Sequence, residues 1–330
     1  MKKILSVTLL ILFLFFGSAL AADNDFESFV EFFPMGSIDW DNGFFYGIGK
    51  GFPHLNRGSK ARAIRVAQAG ALSSILQVAA GLRVDDSRIL SDLEKQKIII
   101  QIKAIVHYEP FERKYITGKG EPYYSVTYRA PMRGVKGLTK LLISQARTKP
   151  SLWKELPRQE IPDIDDQSGP WLVLDARGIS KKTPVEPALF PKIMSASGET
   201  IYGLQDVNEG ALEKRGMASY VVTDKSHEEL MAWAGSRPLT WLVKLVSVQE
   251  AQAAEKRRRR SRRGKYVVSN AHEARGLMKT NLVISESDAR KLKSEDKSSR
   301  ILSQCRVTVI VSESLGGIEG AFPELLASRR

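Results

Sequence analysis

The sequence predicts an α+β protein, with mixed or antiparallel sheets, a long alanine-rich helix packed on the first sheet, and a second, strand-rich domain. Three observations carry this. Residues 59–81, "SKARAIRVAQAGALSSILQVAAG", repeat apolar residues at steps of three and four. Short apolar runs bounded by turn formers recur through the rest of the chain. They follow neither a regular strand–helix alternation nor a fixed repeat.

The first 22 residues stand apart. "MKK", an uninterrupted apolar run and "GSALA" have the order of a secretory leader, with cleavage expected after Ala21. No later run reads as a membrane span, so an exported, periplasmic chain is expected. "DNDFESFVEFF" then reads as a first helix or an arm that docks its Phe residues. "GSIDWDNGFFYGIGKG" reads as a hairpin turning at Asn42-Gly43, a pair suited to a two-residue turn with positive φ.

In the long helix, Ile64, Ala67, Ala71, Ile75 and Val78 share one face. Ser59 caps its start and Gly81 its end, while Arg62, Arg65, Ser73 and Gln77 lie on the wet side. "KIIIQIKAIVHYE" and "YYSVTYRAPM" read as strands, and "KGLTKLLISQA" as a short helix. These elements make residues 23–148 one α+β unit. Residues 149–170, with four prolines, form the linker.

Residues 171–330 are the strand-rich unit. Strands are expected in "WLVLDARG", on both sides of a turn near Ser197-Gly198, and in "MASYVVT", "LTWLVKLVSV", "KYVVS", "TNLVIS" and "CRVTVIVSE". "SHEELMAWA" reads as a helix, and Ser285-x-x-Asp288 as the capping box of another.

Chemistry is sparse. Gly47, Gly49 and Gly51 look at first like a phosphate loop. Gly49-Lys50, however, is followed by Gly51 where a P-loop needs Ser or Thr, and no helix starts directly after the glycines. Alternate glycines suit a strand crossed closely by a helix, so no nucleotide is expected. His54, His107, His227 and His272 are scattered and show no ligand spacing. Asp175 and Arg177 fit an ion pair at a strand end. Cys305 is the one cysteine, expected to be a packed thiol in a strand rather than a nucleophile. No catalytic, cofactor or metal residues are expected.

The net charge is +13, or +11 once Lys2 and Lys3 leave with the leader. Eight of these charges lie in one run: Lys256, Arg257, Arg258, Arg259, Arg260, Arg262, Arg263 and Lys265. This loop, residues 255–265, carries no interleaved aromatics, which argues against nucleic acid. It suits contact with anionic envelope polymers or lipids.

"YGIGKGFP" leading to "ARAIRVAQAGALSSILQVAAGLRV" resembles the bacterial family of the flagellar assembly protein T N-terminal domain and small antigenic outer-membrane lipoproteins. "WLVLDARGIS", "PALFPKIMSASGETIYG", "NLVISESDARKL" and "SQCRVTVIV" are similar to uncharacterised exported proteins carrying that first domain. The resemblance implies a non-catalytic envelope protein with a structural or adaptor role and envelope proteins as partners. It gives no lipid anchor, because no cysteine follows the leader. The alternative is an exported hydrolase of envelope material, which would need Asp175, Arg177 and a histidine to converge.

Overall fold

The computed structural model describes residues 26–93, 110–118, 120–150, 153, 155–159, 171–179, 184–236, 240–244, 271–275 and 279–312. The expected leader, "KIIIQIKAIVHYE", "KYVVS" and the basic run lie outside the described residues. What is described is α+β, as the sequence predicts.

The acidic–aromatic start forms strands rather than a helix. Phe29, Val30, Phe32 and Phe33 are β-formers in a run too short and too interrupted for a helical face. β1 (Glu27–Ser28) runs antiparallel to β10 (Ser219–Val222), far along the chain. Phe29 then plunges into the core at 3% exposure. β2 (Val30–Phe33) opens an antiparallel sheet with β3 (Gly36–Asp39), β4 (Phe44–Gly51), β5 (Glu112–Ile116) and β6 (Tyr123–Pro131), in the order β2-β3-β4-β6-β5.

The β3–β4 turn differs from the two-residue one expected. Asp39 pairs with Phe44, which leaves a loop at 40–43. The Asp39 carboxylate accepts from the Asn42 backbone N–H and from Asn42 Nδ2, each at 2.9 Å. With Asn42 held this way, Gly43 alone takes positive φ, at 71°.

The long helix, α1 (Lys60–Ala80), starts at Ser59, whose side chain accepts from Arg62 N, and stops at Gly81. Its buried residues are Ala63, Ala67, Ala71, Ser74, Ile75, Val78 and Ala79. Ile64 is only half-buried and Ala63 takes its place, a slight rotation from the expected face. Among the described residues α1 alone is long and apolar enough to cross a membrane, yet its alanine face lies on β4 and β6. The alternate glycines explain the approach. A Cβ on Gly47 would fall 2.3 Å from Ile75 N, one on Gly49 2.0 Å from Ala67 O, and one on Gly51 1.9 Å from Ala63 O. Helix backbone thus rests on strand backbone, and Ser74 Oγ donates to Ile48 O at 2.8 Å across the seam.

The rest of the chain adds β7 (Trp171–Asp175), β8 (Ile193–Ser195), β9 (Thr200–Tyr202), β11 (Thr240–Lys244), β12 (Ala271–Arg275), β13 (Asn281–Ile284) and β14 (Val307–Ile310). Strands β10, β14, β7 and β11 lie parallel in that order, with β1 as the antiparallel edge. A second sheet has the order β12-β13-β8-β9. Its β8–β9 turn carries Gly198 at φ 92°, close to where the sequence places a turn. The helices are α2 (Leu138–Thr148), α3 (Glu209–Arg215), α4 (His227–Ser236) and α5 (Glu286–Ser299), the last capped by Ser285 as expected. Cys305 is not inside a strand. It is a buried turn residue with φ 54°, two positions before β14, and its N–H donates to Leu302 O.

Gly49→Ala should lower the unfolding free energy by about 3 kcal/mol, because neither backbone at the seam can yield to a methyl group. Gly118→Ala meets nothing within 4 Å and should stay within about 0.5 kcal/mol of the parent. Urea melts of the two variants beside the parent measure both.

Candidate functional site

Asp175 ends β7 in the middle of the parallel sheet, the place where such sheets often hold ligands. Here the position is filled by the chain itself. Arg177 Nε and Nη2 donate to the two Asp175 oxygens at 2.8 and 2.7 Å, a bidentate pair. Its Nη1 donates to Thr223 O at 3.3 Å and also to Lys225 O. The bond to Asp175 raises the guanidinium above the ordinary arginine value, against a smaller pull from burial. The pair therefore ties the end of β7 to the segment leaving β10.

His54 stands apart from this pair. In the short helical turn after β4, its Nε2 lies 3.0 Å from Glu121 in the loop before β6, and both side chains are well exposed. His227 opens α4 and His272 lies in β12, while His107 is outside the described residues. Among the described residues no group of three or more His, Cys, Asp or Glu side chains is placed to hold a metal ion. The eight cationic residues of 256–265 lie outside the described residues, on the connection between Lys244 of β11 and Ala271 of β12.

A second arginine joins the two sheets. Arg133 follows β6 and donates to Trp40 O and Asp41 O at 2.9 Å and to Ala218 O at 3.1 Å. Its side chain runs between Gly43 and Gly216, both at positive φ, where a Cβ would come within 2.9 and 2.8 Å of it. Burial pulls this guanidinium below the ordinary arginine value, and Asp41 and Asp39 oppose that. Beside it lies a cavity of about 10 Å³, lined by Trp40, Thr139, Leu189 and Met217 among others and large enough for one water.

The most distinctive surface was missed by the sequence reading. Because Gly47, Gly49 and Gly51 face α1, the residues between them face the opposite side of the sheet. That outer face carries Phe44, Tyr46, Ile48 and Lys50 from β4, and Ile48 is buried there at 3% exposure. Arg129 of β6 sits directly across from Tyr46. Its guanidinium carbon lies 4.9 Å from the centre of the Phe44 ring and 4.4 Å from that of Phe111. Tyr46 meets Phe111 edge-on at 5.6 Å. Further along, Lys50 Nζ lies 4.7 Å over Tyr123, which packs at 5.4 Å against Phe52. Phe111 is 51% exposed. The alternating "FFYGIGKGF" held the signal, but only the β4–β6 register brings Arg129 to it.

Residues 171–254 and 245–313 match, as two overlapping segments, the family model described as Treponema pallidum Tp0624, second domain. These segments span β7 to β14 and cover less than half of the chain. They show this part of the chain to be similar to a bacterial family of uncharacterised proteins. No curated protein matches the chain.

The Arg133 cluster sets a pH dependence. Burial pushes the Asp41 carboxyl above its ordinary value, Arg133 works against this, and Asp39 adds to it. The fold thus holds the Asp41 proton more tightly than the unfolded chain does. The stability from this group is complete below the ordinary carboxylate range and is lost as the pH rises through the raised value. Asp41→Asn should therefore be more stable than the parent at neutral pH, and the gap should close near pH ~4. Urea melts at the two pH values read the difference.

Proposed function

We propose that the chain is an exported, periplasmic, non-catalytic protein of the cell envelope. Its role is structural or adaptor-like, in the setting of a flagellar or outer-membrane assembly, and it works by protein–protein contact. The 256–265 run adds attraction to anionic envelope polymers or lipids. The observation that carries the non-catalytic half is the Asp175–Arg177 pair. The residues a hydrolase would need are spent on each other and on the carbonyls of Thr223 and Lys225. His54 is paired with Glu121 in the connections beside the first sheet. The leader pattern supports export, and eight clustered cations support the polyanion contact.

Replacing the six arginines of 256–263 by glutamine should abolish retention of the mature protein on heparin and flatten its salt dependence. The melting temperature should not move. Retention equal to the parent's would refute the polyanion contact. Crosslinking of the mature protein in cells that recovers no envelope protein would refute the adaptor role.

A further inference from the structure

We infer that the turn after β4 and the start of α1 form a docking surface for a bilayer carrying anionic headgroups. Leu55 is its tip, and Arg57, Lys60, Arg62 and Arg65 surround that tip. This rests on the reading of the chain as an envelope protein and adds to it a membrane contact separate from the 256–265 run.

The case starts from charge. From Asn42 to Val84 the chain carries six cations, Lys50, Arg57, Lys60, Arg62, Arg65 and Arg83, and no Asp or Glu. Arg57, Lys60, Arg62 and Arg65 are all exposed. Among the described residues the guanidinium groups of Arg57, Arg62 and Arg65 make no hydrogen bond or ion pair, and Lys60 Nζ lies 5.9 Å over the ring of Tyr124. Glu121, beside the turn, is engaged by His54 at 3.0 Å. The patch therefore keeps a net positive charge, and its complement is anionic. These cations gain nothing from the helix that carries them. The N-terminal end of a helix dipole favours acids, and the first turn of α1 has none.

The shape adds an apolar element. Leu55 is 72% exposed, in the short turn His54–Asn56. That turn is braced from within: Asn56 Nδ2 donates to Phe52 O at 2.8 Å and Gly58 N to Pro53 O at 2.9 Å, so Leu55 is held outward by a tied loop. Helix side chains lean toward the helix N-terminus, which tilts Lys60, Arg62 and Arg65 toward the same turn. Val66, 47% exposed, follows Arg62 by one helical turn on the side of α1 away from the sheet.

A soluble polyanion would meet the cations and leave Leu55 in water. A bilayer surface takes both, because headgroup phosphates meet the cations while the apolar side chain enters the boundary beneath them. The contact is peripheral, since the alanine face of α1 stays on the sheet.

The test uses the mature protein with the 256–263 arginines already replaced by glutamine, so that the basic run contributes nothing. Binding is read by co-sedimentation at about 0.1 M ionic strength, with vesicles of phosphatidylglycerol mixed with phosphatidylcholine and with vesicles of phosphatidylcholine alone. The mixed vesicles should bind the protein and the neutral ones should not. Arg62→Gln with Arg65→Gln should lower the partition coefficient about tenfold or more. Leu55→Ser should lower it about fivefold. Arg290→Gln with Lys297→Gln, which removes as much charge from the exposed side of α5, should change it less than about twofold. All three variants should melt at the temperature of the protein they derive from. The proposal is overturned if neutral vesicles bind equally well, or if folded Leu55→Ser or the Arg62/Arg65 variant binds like its parent. It is also overturned if the α5 variant loses as much, or if dependence on Arg62 and Arg65 appears with soluble polyglutamate and not with vesicles. Any of these failures leaves the adaptor role standing, because the crosslinking outcome decides that separately.

Discussion

The backbone-on-backbone seam between α1 and β4 is the constraint on which the first half of the chain depends. After Phe45, three glycines spaced two apart leave the rest of one face of the strand without side chains, and Ala63, Ala67 and Ala71 present the smallest helix surface to it. The contact is so close that hydrogen bonding crosses it, from Ser74 to Ile48 O. Such a seam gains dispersion contacts along its length, but it tolerates no added atom. It fixes the sheet's distance from α1 and settles which face of the sheet is left for other work.

From that seam the structure is built outward through a few polar ties. Trp40, at the β3–β4 turn, meets Tyr220 of β10 edge-on at 5.7 Å and donates through its indole to Glu31 at 3.1 Å. Glu31 also receives Arg83, whose Nε donates to Pro187 O at 2.7 Å. Arg133 satisfies three backbone carbonyls contributed by both sides of the chain. Lys140 of α2 meets Glu213 of α3 at 3.0 Å. Around these ties, buried residues from before and after residues 149–170 form one apolar cluster. The arginines act mainly as carbonyl clamps, a use that needs the planar fork and a buried course for the side chain.

Several of these features were legible in the sequence because their signals are local. Helix periodicity placed α1, the Ser59 and Ser285 caps fixed two helix starts, and the glycine alternation identified a close crossing rather than a phosphate loop. Asp175 and Arg177, two residues apart at a strand end, also formed the ion pair expected of them. What was not legible depends on partners distant in sequence. The parallel order β10-β14-β7-β11 reflects crossovers that no single strand encodes. The β3–β4 turn was misread because Asp39 captures Asn42 through its side chain, a competitor to the two-residue turn. α3 went unnoticed although Asn208 caps it and Gly216 ends it, because it is too short for a helical period to emerge. No local pattern in the sequence marks Arg133 or Arg129.

The Arg129 face shows why the site and the seam cannot be read separately. Strand side chains alternate, so the register that turns Gly47, Gly49 and Gly51 toward α1 also turns Phe44, Tyr46 and Lys50 away from it. A slip of one residue would drive aromatic rings into the helix and leave the glycines outside, losing both the core contact and the aromatic–cation surface together. The steric demand of the helix is far stronger than any preference of exposed rings. It therefore sets the register, and the surface chemistry follows from it. The glycines that first suggested a phosphate loop thus shape the outer face indirectly, by fixing which side chains the sheet presents there.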